Sequence, residues 1–117
     1  MEAFAIPDAR DRVNEAVDAL VSESIDEFST EALGMDIIDI HRTIDRLEAE
    51  LVRRLRCFDR AQGAQSDGGG TTLSWLRRCG MTVKTASYRV RLARALGELP
   101  AALDSAVRGA PPYATWP

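Results

Sequence analysis

Apolar residues in this chain recur at helical spacing, and nowhere in the strict alternation of a half-buried strand. Val13, Val17, Leu20 and Val21 fall on one side of a 3.6-residue repeat. They predict a first helix that opens near Pro7, with Asp8 and Asp11 at the positive end of its dipole. Ile25 and Phe28 carry the apolar positions on to a break at Ser29-Thr30. Ile37, Ile40, Ile44, Leu47, Leu51, Leu55 and Phe58 then recur at spacings of three and four, the narrow seam of a coiled coil over about three heptads. This seam predicts a long second helix, about residues 35–62, starting after Gly34 and stopped by Gly63. Asp36, Asp39 and Asp45 lie early in it, and Arg53, Arg54, Arg56 and Arg60 lie late, each suited to its end of the macrodipole. A long helix with one narrow seam calls for a partner helix, within the chain or on a second copy.

Shorter elements follow. GAQSDGGG, residues 63–70, reads as a loop. Thr71 or Thr72 caps a third helix whose apolar contacts come from Leu73, Trp75, Leu76 and Cys79, and Gly80 ends it. Thr82 caps a fourth, Val83 to about Leu96, weakened at Gly97 and ended by Leu99-Pro100. A fifth runs from Pro100 or Ala101 to Val107, closed by Gly109, and the prolines of APPYATWP forbid its continuation. The fold expected is therefore all-α, about five helices, with a helix-turn-helix-like hairpin at about 72–96 after the long helix. The expected divisions are an acidic helix and linker (1–33), a helical domain (34–110) and an irregular Pro-rich tail (111–117).

Composition narrows the picture. The length of 117 residues suits one domain, and 45% hydrophobic with 28% charged residues is ordinary for a globular protein. The net charge of −3 hides an asymmetry: residues 1–50 carry 14 acidic and 4 basic side chains, residues 51–117 carry 4 acidic and 11 basic. Either the two halves answer each other, or the basic half offers a surface to an acidic partner. The start, MEAFAIPDARDRV, lacks an apolar signal-peptide core, and no apolar run approaches the ~20 residues of a membrane span. The expectation is a cytoplasmic protein with no membrane partner and two free thiols, Cys57 and Cys79, serving as small core residues.

Catalytic chemistry finds no foothold. His41, the single histidine, sits mid-helix with no nucleophile motif near it, and two cysteines and one histidine far apart give no zinc spacing. GGGTT lacks the lysine and the preceding strand of a phosphate loop, so a hinge is the simpler reading. No catalytic residue, metal ligand, cofactor or small-molecule substrate is expected.

The segment WLRRCGMTVKTASYRVRLARAL, residues 75–96, carries six basic residues and no acid. On a helical wheel Val83, Ala86, Val90 and Ala93 share one side, with Leu92 and Leu96 extending it, while Lys84, Ser87, Arg91 and Arg94 share the other. Arg89 falls on the apolar arc, which predicts a partly buried guanidinium paired with a carboxylate from the acidic half. Arg77, Arg78, Lys84, Ser87, Arg91 and Arg94 are the candidate nucleic-acid contacts. Lys84, Thr85 and Ser87 suit phosphates better than base edges.

The same stretch resembles the 13E12 repeat family of actinobacterial proteins, also called domain of unknown function 222. Asp67, Gly68, Trp75 and Leu76 match its opening motif, with Thr72 near a serine position. Gly80, Met81, Thr82, Ala86, Val90, Arg91, Leu92, Ala93, Leu96, Leu99 and Pro100 match its centre, Gly109 and Tyr113 its end, and Leu51 to Asp59 its preceding helix more loosely. The resemblance covers about residues 35–114. It implies a helical region that precedes an HNH nuclease module in longer members and serves DNA binding or assembly there. This chain stops at Pro117, so it reads as a truncated member, and the nuclease activity does not carry over. The function expected is a non-catalytic helical module that binds nucleic acid. The alternatives are an oligomerisation module pairing through the seam Ile37–Phe58, or a degenerate remnant.

Overall fold

A computed structural model describes residues 8–96 and 107–109. Among these residues the chain is all-helical, with α1 (Ala9–Val21), a 3-10 turn (Ile25–Glu27), α2 (Thr30–Arg60), α3 (Gly63–Ser66), α4 (Thr72–Arg78) and α5 (Val83–Leu96). It divides into two compact units, Met1–Ile37 and Ile38–Pro117. Residues 100–106 of the expected fifth helix and the tail at 111–117 lie outside the described residues; at its expected end Val107 is helical and Gly109 takes a φ of 96°.

In the first unit, Asp8 caps α1. Its carboxylate accepts from the Asp11 N–H at 3.0 Å, and the Asp11 carboxylate accepts from the Asp8 N–H at 3.3 Å, a reciprocal capping box. The predicted stripe is there, yet α1 buries no residue: Val13, Val17 and Leu20 are 39–47% exposed.

The long helix starts earlier than its sequence suggested. Ser29 Oγ accepts from the Ala32 N–H at 3.0 Å, so the cap is Ser29 and Gly34 lies inside the helix. Nothing lies within 4 Å of where a Gly34 side chain would start, so this glycine costs only its poor propensity, about 1 kcal/mol. The exit also differs. Gln62, not Gly63, takes the left-handed conformation (φ 56°). Gly63 opens the single turn α3, which replaces part of the expected loop, and a Cβ there would collide with the Phe58 ring. Glycine at 63 therefore serves close packing, not backbone reversal.

In the second unit, α4 and α5 form the expected hairpin. Thr71 caps α4, its hydroxyl accepting from the Ser74 N–H at 3.0 Å. Gly80 turns the chain at φ 104°, and Thr82 caps α5 by accepting from the Thr85 N–H at 3.2 Å. Val52 and Leu55 of α2, Leu76 of α4, and Ala86, Val90 and Ala93 of α5 make the core, rimmed by Phe58, Leu73, Trp75, Met81 and Leu92. Phe58 and Trp75 stack with ring centroids 4.3 Å apart and planes tilted 40°. The alanines let the α5 backbone approach closely.

The buried face of α2 is Ala49, Val52 and Leu55, and the apolar seam is turned roughly 100° from it around the helix. Only Leu55 belongs fully to both. Leu51 and Phe58 are half-buried, whereas Ile37, Ile40, Ile44 and Leu47 are 43–67% exposed. Three further expectations are corrected. Cys57 and Cys79 are exposed, not core residues. Cys57 lies about 140° around α2 from Val52, and Cys79 sits at the α4 C-cap. Val83, expected on the buried side of α5, is 50% exposed because it is the first helical residue after the turn.

Candidate nucleic-acid interface

The six basic side chains of α4 and α5 have different jobs. Arg89 leaves α5 on the apolar side, as the wheel predicts, and donates to both carboxylate oxygens of Glu48 on α2, at 2.8 and 3.2 Å. The guanidinium is 22% exposed and the Glu48 carboxylate 34%, so water screens the pair only in part. Met81 Sδ lies 3.6 Å from the same guanidinium.

Arg94, expected to face a phosphate, is tied to α2 instead. It donates through Nε and a terminal nitrogen to the two oxygens of Asp59, each at 3.0 Å. The Thr72 hydroxyl donates to Asp59 as well, at 2.6 Å, joining α4 to the same carboxylate. Arg94, then Thr72, hold the Asp59 carboxyl below its ordinary range, and Asp59 in turn raises the Arg94 guanidinium. Arg78 is also committed: it donates to the backbone carbonyls of Asp67 and Gly69, both at 3.2 Å. It thereby braces the run Gly68, Gly69 and Gly70, whose φ values of 85–94° only glycine adopts readily. Trp75 Nε1 donates to the Asp67 carboxylate at 2.8 Å and closes the other side of that loop. Ser87 is half-buried.

Arg77, Lys84 and Arg91 remain. All three are exposed, and they make no hydrogen bond or ion pair among the described residues. Lys84 and Arg91 share a row of α5 with Tyr88, which lies between them and is 53% exposed. Sequence reasoning passed over Tyr88. Its signal was the i, i+4, i+7 spacing of Lys84, Tyr88 and Arg91, with an aromatic ring between two cations. No carboxylate occurs between residues 72 and 96 to neutralise this face.

The other chemistry-bearing groups stay dispersed. His41 is exposed and lies 3.5 Å from Asp45 one turn on. Among the described residues no cluster of His, Cys, Asp and Glu side chains could hold a metal ion. No helix among them is long and apolar enough to cross a membrane.

The positions that carry the 13E12 resemblance mostly bond or pack against one another. Asp67 bonds Trp75 and Asp59 bonds Thr72, Gly80 makes the turn, and Ala86, Val90 and Ala93 are core. They therefore account for a fold before they account for an activity. The chain matches no protein-family model, no curated protein and no solved structure, so that resemblance rests on the quoted motif alone.

Proposed function

We propose that this chain is a non-catalytic helical module that binds nucleic acid through Arg77, Lys84, Tyr88 and Arg91. The observation that carries the reading is the exposed row of Lys84, Tyr88 and Arg91, whose two cations meet no carboxylate among the described residues. Three cations meet three phosphates, and an exposed ring offers a face on which an unpaired base stacks. The row holds no asparagine or glutamine to read a base edge, so the binding it supports is tolerant of sequence. The motif resemblance supports the same reading, since it likens this region to one that accompanies a nuclease module in longer proteins.

Fluorescence anisotropy with labelled single-stranded and duplex oligonucleotides tests the proposal. Three phosphate contacts give a slope of about −2.7 in log K against log salt on duplex DNA, a loss of about 40-fold between roughly 50 and 200 mM salt. Lys84→Glu with Arg91→Glu abolishes binding. Tyr88→Ala weakens the single strand by roughly 5- to 100-fold and leaves the duplex nearly unchanged. Arg94 is a poor probe, because its loss breaks the Asp59 bonds. Undetectable binding at ~50 mM salt refutes the reading.

A further inference from the structure

A pocket of about 300 Å³ opens in the second unit, where the end of α2, the turn α3, the start of α4 and the side of α5 meet. Its polar lining is Asp59, Gln62, Gln65, Thr71, Thr72 and Arg94. Both glutamines are exposed, and neither amide takes part in a hydrogen bond among the described residues. Gln62 also holds a left-handed backbone (φ 56°), which glycine adopts at less cost. A glycine there makes the same turn but brings no amide to the pocket.

The lining decides what kind of group fits. Asp59 and Arg94 cancel each other's charge, and both Asp59 oxygens already accept hydrogen bonds. No net charge is left to draw a phosphate in. Amides and hydroxyls both donate and accept, which matches the edge of a nucleobase. Arg94 adds a face. Its guanidinium is fixed by two bonds to Asp59 yet is 61% exposed, and a guanidinium plane is a surface on which an unpaired base stacks. The volume lies at the small end of the roughly 300–1,000 Å³ range of ligand pockets and suits one base.

We infer that this pocket takes one unpaired base of a single strand whose phosphates lie along Lys84 and Arg91. The inference rests on the nucleic-acid reading above and deepens it: the row tolerates any sequence, and the pocket adds one position where a base is held by its edge. Placement on α5 links the two. Arg91 and Arg94 are three residues apart on one helix, so their Cβ atoms are neighbours at roughly 5–6 Å. A strand that follows the row therefore passes the rim of the pocket. A duplex keeps its bases paired and stacked, so only a single strand fills it.

The test is fluorescence anisotropy of the full chain with a labelled single strand and a labelled duplex, comparing the unaltered protein with Gln62→Gly plus Gln65→Ala. Glycine relaxes the left-handed turn and Gln65 is exposed, so the fold is kept, which circular dichroism checks. If the double variant loses helicity, Gln65→Ala alone decides. The expected result is a loss of at least about fivefold on the single strand and none on the duplex. Equal binding of the single strand by variant and unaltered protein overturns the inference and leaves the nucleic-acid reading standing. An equal loss on the duplex also overturns it, because the amides then contact phosphates. No binding to either ligand at ~50 mM salt overturns both. A free nucleoside monophosphate lacks the neighbouring phosphates, so it is expected to compete only at least roughly a hundredfold more weakly than the strand. Competition at equal concentration assigns the pocket to a free nucleotide and overturns the strand as its occupant.

Discussion

Replacing Glu48 with alanine strands the Arg89 guanidinium. That group is 22% exposed, and Met81 Sδ, 3.6 Å away, is a weak acceptor. Hydrogen bonds between charged groups contribute about 1.5–3 kcal/mol net, and stranding one member of a fully buried pair costs about 3–5 kcal/mol. Arg89 keeps part of its hydration, so about 2 kcal/mol is the reasonable magnitude for Glu48→Ala. Arg89→Met costs less, about 1 kcal/mol, because it retains the apolar stem and leaves a carboxylate that water reaches more readily. The double variant then resembles Arg89→Met, giving a coupling of about 2 kcal/mol in magnitude. In a unit of this size about 2 kcal/mol lowers Tm by roughly 8–16 °C, well within reach of thermal or urea melts followed by circular dichroism. The two side chains bond across α2 and α5. If the cycle closes with a coupling below about 0.3 kcal/mol, the pair does not fasten α5 to α2, and the account of Arg89 is wrong.

Two more outcomes follow from the same unit. Asp59 and Glu50 are both held low, Asp59 by Arg94 and then Thr72, Glu50 down to about 2 by Arg53 and then Arg54. A carboxyl depressed by folding contributes its stability in full above its unfolded value near 4 and loses it as pH falls toward the folded value. Stability is therefore expected to hold from neutral pH to about 4.5 and to fall steeply below. Asp59→Asn lowers the plateau and flattens that acid limb, and parallel limbs for the two proteins in pH-dependent urea melts would show that the Asp59 bonds are not formed in solution. Gly63→Ala drives a methyl group into the Phe58 ring and destabilises by about 1–3 kcal/mol, whereas Gly34→Ala, on an open helix face, stabilises by up to about 1 kcal/mol; equal effects on denaturation midpoints would contradict the packing described for Gly63.

Local chemistry was enough for the helices and most of their ends. Thr71 and Thr82 bond the N–H groups that any helix start leaves open, and Gly80 takes a φ that other residues avoid, so these boundaries follow from residue type alone. Arg89 was legible for a similar reason: a lone cation on an apolar arc must find a carboxylate, and Glu48 supplies one. Boundaries failed where two residues competed for one role. Ser29 outdid the stretch after Gly34 as a cap, and Gln62 took the left-handed turn because Gly63 was required against Phe58.

Tertiary packing decided the rest. A periodic stripe states that a helix has an apolar side, not which neighbour meets it, and α2 offers two such sides. The hairpin packs on Val52 and Leu55, where α5 presents alanines that fit closely, while Ile37, Ile40, Ile44 and Leu47 stay 43–67% exposed. The basic face was divided in the same way. A wheel places Arg94 beside Lys84 and Arg91, but only the approach of α2 brings Asp59 within 3.0 Å of Arg94 and takes it out of that row. A long side chain reaches several partners from one helical position, and which partner it finds depends on where the other helices lie. That is why the outward cations reduced to Arg77, Lys84 and Arg91, with Tyr88 among them, only once the fold was known.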